Sequence, residues 1–199
     1  MNFVLVHGAW HGGWCWREVA KILRAQGHTV FTPTLTGNGE SRHLGGERIT
    51  LETHTRDVLG LIAAEELSDV ILVGHSYGGM VITGVAARLG QRIDGIAYVD
   101  AFWPDDGQSL WHITGEFEHN WYLDTQKHTP GLIRPLMTPD DWAPIPNVVG
   151  YHPLLTLVPV DEQREVDVLA LRAHLFGIGF EAGELVFENH LRIVEQAPD

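Results

Sequence analysis

Apolar residues in the first hundred positions fall into short runs that alternate with stretches of helical period. Phe3 to Val6 is an apolar run followed shortly by Gly8. Trp16 to Gln26 carries Val19, Ala20, Ile22 and Leu23 at helical spacing, and Gly27 is suited to stop that helix. Thr29-Val30-Phe31-Thr32 reads as a second strand, which ends in the turn-prone Thr36-Gly37-Asn38-Gly39. Thr50 is suited to cap a helix running to about Leu67, with Val58, Leu61 and Ile62 on one face. Asp69 to Gly74 predicts a third strand, Gly79 to Gly90 a helix, and Ile93 to Val99 a fourth strand. Strand and helix signals in strict alternation predict an α/β fold, a mostly parallel sheet with helices on both faces.

The pattern changes after Asp100. Residues 103–159 hold eight of the ten prolines and show little two-residue alternation, so short helices and loops are expected there rather than more sheet. An insertion after a strand of an open sheet lies over the carboxyl edge, where ligands bind. We read 103–159 as a cap that shapes an apolar pocket within a single domain spanning 1–199. The acidic stretch Asp161 to Asp167 reads as a solvated helix face.

Composition adds exclusions. With 13 Lys+Arg against 26 Asp+Glu, the formal charge of −13 disfavours nucleic acid and anionic membranes as partners. The single cysteine, Cys15, excludes an internal disulfide, and its place between Trp14 and Trp16 suits a small core hydrophobe better than a reactive thiol. The opening apolar run is too short for a signal segment and no run reaches membrane-spanning length, so a cytoplasmic location is the expectation. No H-E-x-x-H and no G-x-G-x-x-G after a strand occur, so neither metal nor organic cofactor is expected.

The candidate chemistry centres on Gly74-His75-Ser76-Tyr77-Gly78, a G-x-S-x-G pentapeptide between the third strand and its helix. A serine on a sharp strand-to-helix turn is what a nucleophile elbow requires. The turn leaves no room for side chains at Gly74 and Gly78. Ser76 would then project at the carboxyl end of the sheet, beside backbone N–H groups and a positive helix terminus.

Phe3-Val4-Leu5-Val6-His7-Gly8-Ala9-Trp10-His11-Gly12-Gly13-Trp14 closely resembles the opening of the plant methylesterase and hydroxynitrile lyase group of α/β-hydrolases, and of that group's bacterial esterase-like relatives. Thr32 to Gly37, the block from Val70 to Ala86 and Tyr98-Val99-Asp100-Ala101-Phe102 resemble the same group, so the likeness runs from residue 1 to about 110. It implies the α/β-hydrolase fold and a serine nucleophile, Ser76. It also implies an oxyanion site made by the backbone N–H groups of Ala9 and Tyr77.

The base is chosen among 12 histidines. His75 points away from the catalytic side if Ser76 sits at the apex, and His7 and His11 belong to the oxyanion loop. Chain order on this scaffold is serine, acid, histidine, which leaves His174 and His190. The stretch from Gly179 to Leu185 before His190, with Ala197-Pro198-Asp199 after it, resembles the family's last strand and closing helix. His190 is therefore the expected base. For the acid, Asp100 at the end of the fourth strand and Asp167 both remain open, with Asp100 the slightly preferred one. The region between Val158 and Ile178 is shorter than in typical members of the group.

These residues predict a serine hydrolase, a carboxylesterase for a small ester with an apolar or aromatic part. Hydroxynitrile lyases of the group carry a hydroxyl residue after the His-Gly pair and a lysine after the catalytic histidine. Ala9 and Leu191 stand at those positions and favour the esterase. The competing reading from another class is a non-catalytic ligand-binding protein with an incomplete triad. The oligomeric state stays open, a homodimer that completes the short C-terminal part being one arrangement.

Overall fold

A computed structural model describes residues 1–45, 49–128 and 133, and the backbone of 191–192. The first strand, β1 (Asn2–Val6), is followed by a short 3-10 turn and helix α1 (Arg17–Ala25). Strand β2 (Thr29–Phe31) precedes α2 (Leu51–Ala64), β3 (Val70–Ser76), α3 (Gly78–Leu89) and β4 (Ile93–Ala101). Two helices follow, α4 (Leu110–Ile113) and α5 (Glu116–His128), and Leu191–Arg192 form a short strand, β5.

The sheet order is β2-β1-β3-β4-β5. Pairing is parallel from β2 to β4, and β5 runs antiparallel to β4 at Tyr98 and Val99. The predicted α/β architecture is therefore present, with one antiparallel member at the edge.

Alternation along the strands sorts the core into two layers. Phe3 and Leu5 of β1 join Ile71, Val30, Trp16, Ala20 and Leu23 on the face covered by α1. Val4 and Val6 join Val70, Leu72 and the buried residues of α2 and α3 on the other. The middle strands are buried on both faces, as the apolar runs require of a covered parallel sheet.

Local signals hold at the helix ends. Gly27 adopts φ +86° beyond α1. Thr50 caps α2 reciprocally with Thr53, each side chain bonding the other's backbone N–H. One packing expectation fails: Ile22 is 54% exposed, because it lies on the side of α1 away from Ala20 and Leu23.

Of the expected cap, residues 103–128 and Ile133 are described. Residues 103–128 form helices and turns, and α5 packs back on the domain through its buried Tyr122 and half-buried Trp121.

Candidate active site

Strand β3 ends at Ser76 and α3 begins at Gly78, so the chain reverses direction within two residues. Ser76 adopts φ +51°, a left-handed conformation that costs an L-residue roughly 1–2 kcal/mol. Such strain persists only where the surroundings enforce it. The glycines around it explain how. A Cβ on Gly74 would lie 2.7 Å from the Gly78 carbonyl oxygen, and one on Gly78 would lie 2.6 Å from that of Val6. Gly79 is tighter still against the Phe102 carbonyl of the chain leaving β4. The elbow is thus wedged between the ends of β1 and β4.

Gly8, on the loop after β1, faces the elbow directly. A Cβ there would stand 3.0 Å from the Cβ of Ser76. His7 sits beneath this loop, with no exposed surface. Its Nε2 accepts the Leu35 N–H at 3.0 Å, which leaves Nδ1 to donate to the Gly8 carbonyl at 2.7 Å. Burial lowers the His7 pKa to about 3, the neighbouring His54, His11 and His75 adding to the effect, so the ring stays neutral and keeps its acceptor.

These bonds orient two peptide planes. In a trans peptide the N–H points opposite to the preceding C=O. The Gly8 carbonyl is turned onto His7, so the Ala9 N–H points the other way. The Ser76 carbonyl accepts from the Phe102 N–H at 3.1 Å, so the Tyr77 N–H is likewise turned away from β4. Among the described residues, no hydrogen bond occupies the N–H of Ala9 or of Tyr77. One of these donors follows Ser76 in the chain and the other follows Gly8, and a pair of backbone N–H groups left open in this way among the described residues can hold a developing oxyanion.

The other histidines near the elbow do different work. His75 lies half-buried on the α1 face, edge-on to Trp16 at 6.5 Å and to His11 at 6.1 Å between ring centroids. Its pKa is lowered chiefly by burial and further by His11, with Asp100 acting in the opposite sense. The Nδ1 of His11 bonds the Ala9 carbonyl at 2.6 Å and so braces the next peptide of the loop.

Asp100 is exposed at the carboxyl end of β4, in left-handed backbone at φ +43°. It stands where the β3–β4 register shifts between His75 and Ser76, so Ser76 pairs with Ala101. His190, His174 and Asp167 lie outside the described residues. Cys15 packs against the α1-side core, and burial pushes its thiol up to about 12, as suits a packing residue. Among the described residues, no three His, Cys, Asp or Glu side chains converge to hold a metal.

Several contributors escape a sequence reading. Trp10 adopts φ +61°, donates from Nε1 to the Ile133 carbonyl at 2.7 Å and packs on Trp121 of α5 at 5.6 Å. The loop after β1 is thereby tied to α5 and to Ile133. His54 of α2 is fully buried, with Nδ1 accepting from the Tyr77 hydroxyl at 2.8 Å and Nε2 donating to the Thr36 carbonyl at 2.9 Å. Asp57 accepts from the Thr36 N–H at 2.7 Å and from its hydroxyl at 2.9 Å. A signal for His54 does exist: it shares the helical stripe of Val58, Leu61 and Ile62, where an apolar residue would serve packing alone.

The profile of the alpha/beta hydrolase family matches residues 3–185. A carbendazim hydrolyzing esterase from Nocardioides sp. (strain SG-4G) is 68% identical over 109 residues, covering 55% of this chain and 45% of the relative. Salicylic acid-binding protein 2 of Nicotiana tabacum is 35% identical over 131 residues, covering 63% of this chain and 50% of the relative. The chain spans about half the length of these curated relatives. Among solved structures, an extracellular alpha/beta-hydrolase from a Paenibacillus species superposes with a TM-score of 0.68 at 28% identity, over 87% of this chain and 73% of that one.

Proposed function

The chain belongs to the alpha/beta hydrolase family, and from that premise we propose that it is a serine carboxylesterase for a small ester with an apolar or aromatic part. The observation that carries the proposal is Ser76, held at φ +51° on the elbow and faced by Gly8. Relatives named as a carbendazim hydrolyzing esterase and as methylesterases support the same reaction class. The indoles of Trp10 and Trp121 beside the oxyanion loop suit an apolar substrate part.

In this reading Ser76 Oγ attacks the ester carbonyl carbon and its proton passes to His190. The carbonyl oxygen becomes an oxyanion held by the N–H groups of Ala9 and Tyr77. Loss of one such donor typically costs ~3–4 kcal/mol of transition-state stabilisation. Collapse of the intermediate expels the alcohol, which takes the proton from His190, and water then releases the acid by the same steps. Asp100 is the carboxylate we assign to orient His190.

A fluorophosphonate probe tests the proposal. Covalent labelling of the wild type at Ser76, absent in Ser76→Ala, is the expected result. A folded wild type that does not label would instead favour a non-catalytic ligand-binding protein.

A further inference from the structure

We infer that His54 is a positioning residue for oxyanion stabilisation, tying the Tyr77 side of the oxyanion site to the same loop that holds the Ala9 side. The inference rests on the serine esterase reading above. It does not follow from packing alone. Burying an imidazole is costly unless both ring nitrogens are satisfied, and an apolar residue on this stripe of α2 would avoid that cost.

Both nitrogens of His54 are satisfied, and in one tautomer only. The Thr36 carbonyl can only accept, so Nε2 carries the proton. Nδ1 is then the acceptor for the Tyr77 hydroxyl. Burial holds the pKa of His54 down, so this neutral form is the resting one. The Tyr77 ring is itself buried and meets His54 edge-on, with ring centroids 5.6 Å apart.

The far end of this link is rigid. Thr36 is clamped by Asp57, which stands three residues along α2 from His54, so helix and loop are joined twice. Leu35, the residue before Thr36, is the one whose N–H bonds His7. A continuous chain of bonds therefore runs from the Gly8–Ala9 peptide through His7, Leu35, Thr36 and His54 to Tyr77. The distance between two donors on separate loops is thus set by one short segment after β2. Oxyanion donors act only when placed where the charge develops, so a device that fixes both against each other bears on rate. His54 does not touch Ser76 and acts through Tyr77.

The test compares wild type, Tyr77→Phe, His54→Phe, the double variant and Val58→Ala, a cavity variant four residues from His54 on the same helix. Three quantities are read for each: kcat and KM on 4-nitrophenyl acetate, and the affinity of a phenyl trifluoromethyl ketone. That ketone reports the site directly. Ser76 Oγ bonds to its carbonyl carbon, the carbonyl electron pair moves to oxygen as the oxyanion, and the serine proton passes to the base. Tyr77→Phe and His54→Phe should each lower kcat and ketone affinity together by about tenfold, with KM little changed. The double variant should be no worse than either single, since the two residues form one link. Val58→Ala should lower the melting temperature and leave ketone affinity at the wild-type level.

Wild-type kcat and ketone affinity in Tyr77→Phe would overturn the inference, as would an equal loss in Val58→Ala. If His54→Phe does not fold, Tyr77→Phe carries the test alone, because it removes a single oxygen. A wild type unreactive toward fluorophosphonate overturns the esterase reading and this inference with it. A wild type that labels, beside an unimpaired Tyr77→Phe, overturns this inference alone.

Discussion

Gly8 and Ser76 approach so closely that a Cβ on Gly8 would stand 3.0 Å from the Cβ of Ser76 and 2.8 Å from Nδ1 of His75. The loop after β1 and the elbow after β3 are therefore packed backbone against side chain. Any growth at Gly8 must push one of them away. Because the Gly8 carbonyl also fixes the Ala9 N–H through His7, the displacement falls on the donor proposed above for the oxyanion.

Gly8→Ala should accordingly fold but lose about 10²-fold in kcat on an aryl ester, the range seen when one oxyanion donor is lost. Steady-state kinetics beside a melting curve checks this. Unchanged kcat with a well-folded protein would mean that the Ala9 N–H is not a working donor.

The strain at Ser76 yields a second prediction. Its φ of +51° is one glycine adopts freely and alanine does not. Both Ser76→Ala and Ser76→Gly should abolish hydrolysis. Ser76→Gly should be the more stable of the two by about 0.5–1 kcal/mol, the left-handed strain of roughly 1–2 kcal/mol less the entropy that glycine adds to the unfolded chain. Urea unfolding of both variants measures the difference, and equal midpoints would show that the elbow stores no strain at this residue.

Much of this arrangement was legible in the sequence, and the division has a physical cause. The strands, the Thr50 cap, the Gly27 stop and the elbow rest on neighbours in the chain, so periodicity and turn chemistry reveal them. The bonds of His7 to Leu35 and of His54 to Thr36 span 28 and 18 residues and follow no period. His54 was therefore legible only as a polar residue on an apolar stripe, without its purpose. The two-residue strand β5 likewise joins β4 from more than ninety positions along the chain, and no neighbour in sequence reveals that pairing.

Buried neutral histidines make stability depend on pH. Burial holds the pKa of folded His7 at about 3, against 6.5 for a free histidine side chain, and lowers His54 in the same direction. Between those two values the unfolded chain binds a proton that the folded His7 does not. Stability therefore rises with pH in this window and is lost as pH falls from about 6.5 towards 3. The slope from His7 alone approaches ~1.4 kcal/mol per pH unit. Urea titrations at successive pH values should show a steeper acid loss in wild type than in His7→Asn. Parallel curves would mean that His7 is not buried in its neutral form.

The last prediction concerns the remaining members of the proposed triad. A nucleophile and its base act as one unit, so removing either costs about as much as removing both. His190→Ala should therefore fall to the level of Ser76→Ala, whereas His174→Ala should retain most activity. Asp100 stands at the carboxyl end of β4, where the register shift pairs Ala101 with Ser76 and leaves the aspartate exposed in left-handed backbone. An orienting carboxylate lowers kcat strongly when neutralised but leaves substrate binding intact. Asp100→Asn should show that split, with kcat down by orders of magnitude and KM nearly constant, while Asp167→Asn should not. Asparagine keeps the shape of the side chain and tolerates the left-handed backbone, so a folding defect is not expected to obscure the result. Full activity in Asp100→Asn, with loss in Asp167→Asn, would move the acid to Asp167. An active His190→Ala beside a dead His174→Ala would reassign the base and remove the argument that pairs it with Asp100.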